Sequence, residues 1–271
     1  MEPTFWPLLT RFYQWGTPRL DLDSLSPVLV LGNQKTGSTA IAELLAQLGG
    51  LRASTDLHPL QASSSPLPTD AEAVAALLQR LRYYFRADLI KENELTLITS
   101  PLLSALPRAR PVFVVRHPAH NIRSILDRVG LPGTPRPLDA VSLAPGDEGW
   151  RPILTGADLG VEAEDTITAL AKRWARTAAI YQRHRKRLRL VRYEDFMADK
   201  SGCIRALAED LGVPARHDID ALVDVAFQPR GAHRDVPVGE FFSSAALARI
   251  HEYCADGMSA LDYASVSPPA P

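Results

Sequence analysis

With 271 residues, 46% hydrophobic and 23% charged, the chain is long and apolar enough to bury a sizeable core, which excludes wholesale disorder. A formal net charge of −1 gives no global attraction for nucleic acid or an anionic membrane, so any anion site must be a local gathering of basic side chains. Cys203 and Cys254 are the only cysteines, too few for a disulfide framework or a thiolate zinc site, and they fit a reducing, cytoplasmic setting.

The N-terminal stretch mixes Phe5, Trp6, Phe12, Tyr13 and Trp15 with Pro3, Pro7 and Arg11 and lacks the layout of a signal peptide. Its aromatics are expected to pack on the domain as an extension over 1–25, the alternative being an interfacial anchor. No run approaches the roughly 18 apolar residues of a membrane span, so no membrane insertion is expected. An apolar strand at 28–31 leads through a glycine-bounded loop into a helix over 39–48. A Ser/Pro-rich polar connection follows at 53–69, then a helix over 70–86 with Val74, Leu77, Leu78, Leu81 and Phe85 at helical spacing. A short strand near 88–91 precedes a helix ending by Leu106; Pro111 opens a strand over 112–115, and a helix spans 119–128. Residues 130–161 hold five prolines without periodicity and read as a lid or substrate loop. A long helix over 163–186, a strand at 188–191 and helices near 199–211, 217–226 and 244–256 complete the chain. Strands alternating with helices predict one α/β domain over 1–271, its central, mainly parallel sheet flanked by helices on both faces.

The loop at 32–39 carries the chemistry. Gly32 and Gly37 keep the G-x-x-x-x-G spacing of a phosphate cradle, in which backbone N–H groups and a helix N-terminus face an anion. A nucleoside-triphosphatase loop places Lys after the second glycine and a hydroxyl for magnesium. Here Ser38 and Thr39 follow Gly37 directly and the lysine has moved inside the loop, to Lys35. The strand at 112–115 ends in Arg116-His117-Pro118, with Ser124 eight residues beyond Arg116, a guanidinium and a hydroxyl suited to a second phosphate. Arg192-Tyr193-Glu194-Asp195 follows the last strand, its tyrosine placed to stack on a base. Gln228-Pro229-Arg230-Gly231 offers a further cation beside a close backbone approach. The basic run at 183–192 is read as a helix end whose cations suit the macrodipole, and not as a polyanion site.

In order and spacing, from about residue 28 to 231, these elements resemble the sulfotransferases that use 3′-phosphoadenosine-5′-phosphosulfate (PAPS), in particular soluble bacterial-type members with a three-layer P-loop-like fold. The 5′-phosphosulfate loop of that family, P-K-[TS]-G-[TS]-[TS], is matched by Gln34-Lys35-Thr36-Gly37-Ser38-Thr39, with Gln in place of Pro. Its 3′-phosphate element is matched by Arg116-His117-Pro118 with Ser124, its Y-E-D element by Tyr193-Glu194-Asp195, and its R-x-G element loosely by Arg230 and Gly231. The resemblance also selects Lys91, 25 residues before Arg116, as a ligand of the sulfuryl oxygens. The histidine that many members carry two residues further on is Asn93 here, so the base must come from elsewhere. The order of candidates is His58, then Asp56, then Glu92.

The resemblance thus implies sulfuryl transfer from PAPS to a hydroxyl, less readily an amine, of a small-molecule, lipid or sugar acceptor. The product would be 3′,5′-ADP, with no metal and no nucleic-acid partner; a homodimer stays open. Two alternatives are a small-molecule P-loop kinase and a catalytically silent module that binds PAPS or a nucleotide.

Overall fold

In the computed structural model, residues 17–61, 67–228, 231–233 and 235–266 are described. Strands β1 (Val28–Gly32), β2 (Ala53–Thr55), β3 (Leu89–Lys91), β4 (Arg110–Val115) and β5 (Arg189–Arg192) form a sheet of order β2-β3-β1-β4-β5. Every neighbouring pair is parallel, so the strand ends bearing Gly32, Lys91 and Val115 share one edge. From β1 the chain moves to β2 and β3 on one side and later to β4 and β5 on the other. This is a topological switch point, where open α/β sheets bind their ligands.

Helices α1 (Ser38–Gly49), α2 (His58–Gln61), α3 (Ala71–Arg80), α4 (Thr99–Ala105), α5 (Pro118–Arg128), α6 (Arg151–Thr155), α7 (Thr166–His184), α8 (Tyr193–Ala198), α9 (Lys200–Asp210), α10 (Val238–Phe241) and α11 (Ser244–Ala260) connect and cover the strands. All five residues of β1 are buried, as a strand covered on both faces requires. Because side chains alternate across a strand, Val28 and Val30 pack on one face with Ile41, Leu44 and Leu48 of α1 and Ile204 and Leu207 of α9. Leu29 and Leu31 pack on the other with residues of α3, α4, α5, α7 and α11. The result is the expected three-layer α/β arrangement with a parallel sheet.

Several local expectations need correction. The connection at 53–69 contains β2 and α2; Ala53, Ser54 and Thr55 pair in register with Leu89, Ile90 and Lys91, so sheet bonding overrides a composition that reads as loop. The helix expected over 70–86 ends at Arg80 and resumes only as a 3-10 turn, Tyr84–Arg86. No helix forms over 217–226. There Asp218 accepts a bond from the Asp220 N–H and another from Arg205, and this local side-chain bonding competes with helical bonding. Residues 130–161 are built of short turns and α6, and Leu131, Val141, Ile153 and Leu154 join the core.

Residues 1–16, and with them the aromatic cluster of the expected extension, lie outside the described residues; just beyond them Leu20, Leu22 and Leu25 pack on the core. In the basic run, Arg189 pairs with Asp210 at 2.9 Å and Arg187 donates to the carbonyls of Leu103 and Pro107. Among the described residues no helix is long and apolar enough to cross a membrane.

A candidate anion-binding cleft at the strand ends

The edge shared by β1, β3 and β4 opens into a cleft of about 1150 Å³. Its lining includes Lys35, Ser38, Thr39, Lys91, Arg116, Ser124 and Tyr193, so residues from five separate stretches of sequence meet there. Gly32, at φ 147°, begins the loop; a Cβ at this position would stand 2.4 Å from the carbonyl oxygen of Val114, so β4 leaves no room for a side chain. Gly37, at φ 91°, ends the loop and precedes α1. No side chain caps that helix end, and Gly37, Ser38 and Thr39 line the cleft, which leaves first-turn N–H groups and the positive end of the helix dipole for an anion.

The loop is held from behind. Thr36 Oγ1 donates to the carbonyl of Asn33 at 2.9 Å, and Asn121 Nδ2 donates to the carbonyl of Gln34 at 2.7 Å. The Gln34 side chain accepts from Arg173 Nη2 at 2.8 Å and donates to Glu94 Oε1 at 2.9 Å, two bonds a proline could not make. Ser38 Oγ donates to Asn93 Oδ1 at 3.2 Å, which gives the residue at the expected base position a place beside the loop. Lys35 adopts φ 64°, and its Nζ approaches Gln228 Oε1 at 3.4 Å. Its pKa is lowered, first by burial and then by the charges of Arg128, Arg116 and Lys91. Three neighbouring cations thus disfavour the charge on Lys35, as expected where positive groups gather in one cleft.

Tyr193 packs closely against Gly37: a Cβ on that glycine would fall 2.3 Å from the edge of the Tyr193 ring. The Arg116 guanidinium lies 4.4 Å from the same ring centroid, so the tyrosine carries both the loop and the second cation. Glu194 holds the Arg116 corner, accepting from the His117 N–H at 2.9 Å and from Tyr263 Oη at 2.8 Å. Trp174 Nε1 donates to the carbonyl of Arg116 at 2.9 Å. Gly231 lines the cleft, whereas Arg230 lies outside the described residues.

Lys91, 3% exposed at the end of β3, is paired with Asp56, and both line the cleft. Asp56 sits at φ 53°, its N–H bonded to the carbonyl of Lys91 at 3.0 Å. Glu92 also borders the cleft but is buried, accepting from the N–H groups of Leu57 at 2.6 Å and Glu94 at 3.1 Å. Burial, above all, pushes its carboxyl up to about 7. His58 is exposed at the start of α2 and is not among the described residues that line the cleft. Sequence reasoning missed Arg173, Trp174 and Asn33; an arginine three residues after the apolar Leu170 on a helix was the one available signal.

No protein-family model and no curated protein matches the sequence. Solved structures do match. A sulfotransferase domain from the curacin biosynthetic pathway is 14% identical with a TM-score of 0.54, covering 90% of this chain and 100% of that one. A sulfotransferase from Mycobacterium avium is 14% identical with a TM-score of 0.53, covering 95% of this chain and 81% of that one. A third, from Alicyclobacillus acidocaldarius, is 14% identical with a TM-score of 0.51, over 88% and 96%. At these identities the likeness speaks for architecture, and the chain carries the sulfotransferase fold.

Proposed function

We propose that the protein is a PAPS-dependent sulfotransferase that modifies a hydroxyl, or less readily an amine, of a small-molecule acceptor. The observation that carries this reading is the convergence of Lys35, Lys91 and Arg116 with the uncapped N-terminus of α1 on one cleft. A single-phosphate ligand needs fewer such groups; a donor with a 5′-phosphosulfate and a 3′-phosphate uses them all. In this reading the loop N–H groups with Ser38 and Thr39 hold the 5′-phosphate while Thr36, buried and bonded to the Asn33 carbonyl, braces the loop from behind; Arg116 and Ser124, joined by Arg230, hold the 3′-phosphate. Gln34 shapes the loop, Tyr193 supports it, and Gly231 lets the backbone come close to the nucleotide.

Transfer needs little covalent help beyond alignment and charge stabilisation. The acceptor O–H gives its proton to a carboxylate while its oxygen bonds to sulfur. The bond from sulfur to the 5′-phosphate oxygen breaks, and Lys35 neutralises the charge left on that oxygen. Lys91 binds the sulfuryl oxygens. We assign the base to Asp56, which lies beside Lys91 and lines the cleft, ahead of the exposed His58 and the backbone-bonded Glu92. Residues 130–161, within one domain, form the wall against which the acceptor packs.

Calorimetry of 3′,5′-ADP against Mg-ATP tests the reading. Preference for 3′,5′-ADP is expected, and Arg116→Ala should erase most of it, a loss of about 10–100-fold for one charge-assisted contact. Tighter binding of Mg-ATP, or indifference to removal of the 3′-phosphate, would favour a kinase and sink the proposal.

A further inference from the structure

Arg173 of α7 is 1% exposed and divides its guanidinium between two regions that are far apart in sequence. Nε donates to Asn33 Oδ1 at 2.9 Å and Nη2 to Gln34 Oε1 at 2.8 Å, both in the loop after β1. Nη1 is paired with Asp158 Oδ2, in the turn Ala157–Leu159. Asp158 lines the same cleft, on the side formed also by Trp150, Pro152 and Ile153, and its Oδ1 is buried with no hydrogen-bond partner among the described residues.

A guanidinium keeps its charge however deeply it is buried, so this one depends on Asp158, the carboxylate paired with it directly, with the Glu94 carboxylate near enough to feel its charge. Its two other bonds go to neutral oxygens of Asn33 and Gln34, side chains that also shape the loop: Asn33 Oδ1 accepts from the Gln34 N–H, and Asn33 Nδ2 donates to Asn121. Any shift of Asp158 therefore moves the guanidinium, and the guanidinium moves the loop. We propose that Arg173 is a positioning residue that couples the turn at 157–159 to the phosphate loop, so that what packs against the wall sets how well the loop holds its anion. That the loop takes the sulfuryl donor and the wall the acceptor rests on the reading above; the mechanical coupling does not.

Two measurements separate the claims. In the ligand-free protein, hydrogen exchange of the amides at 33–37 should be at least about fivefold faster in Asp158→Asn than in wild type, while the amides of β4 stay protected. In calorimetry with 3′,5′-ADP, Asp158→Asn should bind at least about fivefold more weakly, and the double variant with Arg173→Gln no more weakly than Arg173→Gln alone. Arg173→Lys, which keeps the charge but cannot span three partners, should not restore affinity. Unchanged loop exchange in a folded Asp158→Asn protein, or losses that add in the double variant, would overturn the coupling. If Asp158→Asn does not fold, Asp158→Glu takes its place with a smaller shift expected in the same direction, and wild-type behaviour overturns the proposal. A wild type that ignores 3′,5′-ADP defeats the functional reading alone, because the exchange experiment needs no ligand.

Discussion

Glu92 shows how one side chain at the cleft makes stability depend on pH. Its folded pKa of about 7 lies above the ordinary value of 4.5, so folding favours the neutral carboxyl. Below the unfolded value both states are protonated and no penalty exists. As pH rises toward 7 the unfolded chain ionises first, and stability is lost until the folded carboxyl ionises too, a total of about 3 kcal/mol for the shift. Glu92→Gln removes this dependence. Its melting temperature should fall less than that of the wild type between pH 5 and pH 8, and parallel pH profiles would contradict the assignment. Gly37 makes a steric test. An alanine there meets the Tyr193 ring at 2.3 Å and must hold φ 91°, at a cost of about 1–3 kcal/mol. Gly37→Ala should lower the melting temperature and weaken 3′,5′-ADP binding about tenfold or more. Tyr193→Ala in the same background should recover part of the melting temperature if the clash is the cause.

Among the elements, α7 does more than cover the sheet. Arg173 reaches the loop after β1, while the next residue, Trp174, reaches the carbonyl of Arg116, so one helix holds both candidate anion stations. Its start is fixed by Asp165, which accepts from the N–H groups of Ile167 at 2.9 Å and Thr168 at 3.0 Å and pairs with Arg249 of α11. Asp165→Ala leaves those donors without their cap in a buried place and should cost about 2 kcal/mol in urea denaturation. Asp165→Asn, which can still accept, should cost less. The contrast between loop and helix explains what was readable in the sequence. The placement of Gly32, Lys35, Gly37 and Arg116 at the strand ends was legible because it follows from neighbours a few residues away. The role of Arg173 depends on partners about 140 positions distant, and on α7 it looks like one more cation. β2 was hidden for the same reason: three residues without a strong strand pattern pair only because β3 offers them an edge.

For the whole molecule, the decisive contrast is between a net charge of −1 and a cleft in which Lys35 is disfavoured by three neighbouring cations. Elsewhere many cations are answered locally, as in Arg52 with Asp88, Arg189 with Asp210 and Arg205 with Asp218. The attraction for an anion is therefore short-ranged and confined to the strand ends, which predicts a particular response to salt. At ~0.1 M ionic strength charges are screened beyond about 10 Å, and at 1 M beyond about 3 Å. Raising KCl from about 0.05 to about 0.5 M should weaken 3′,5′-ADP several-fold, while adenosine, which lacks both phosphates, should show no trend. A long polyanion such as heparin should compete poorly, since a net charge of −1 gives it no global attraction. If heparin displaced the nucleotide at low concentration, the confinement of the anion's attraction to the cleft would be wrong.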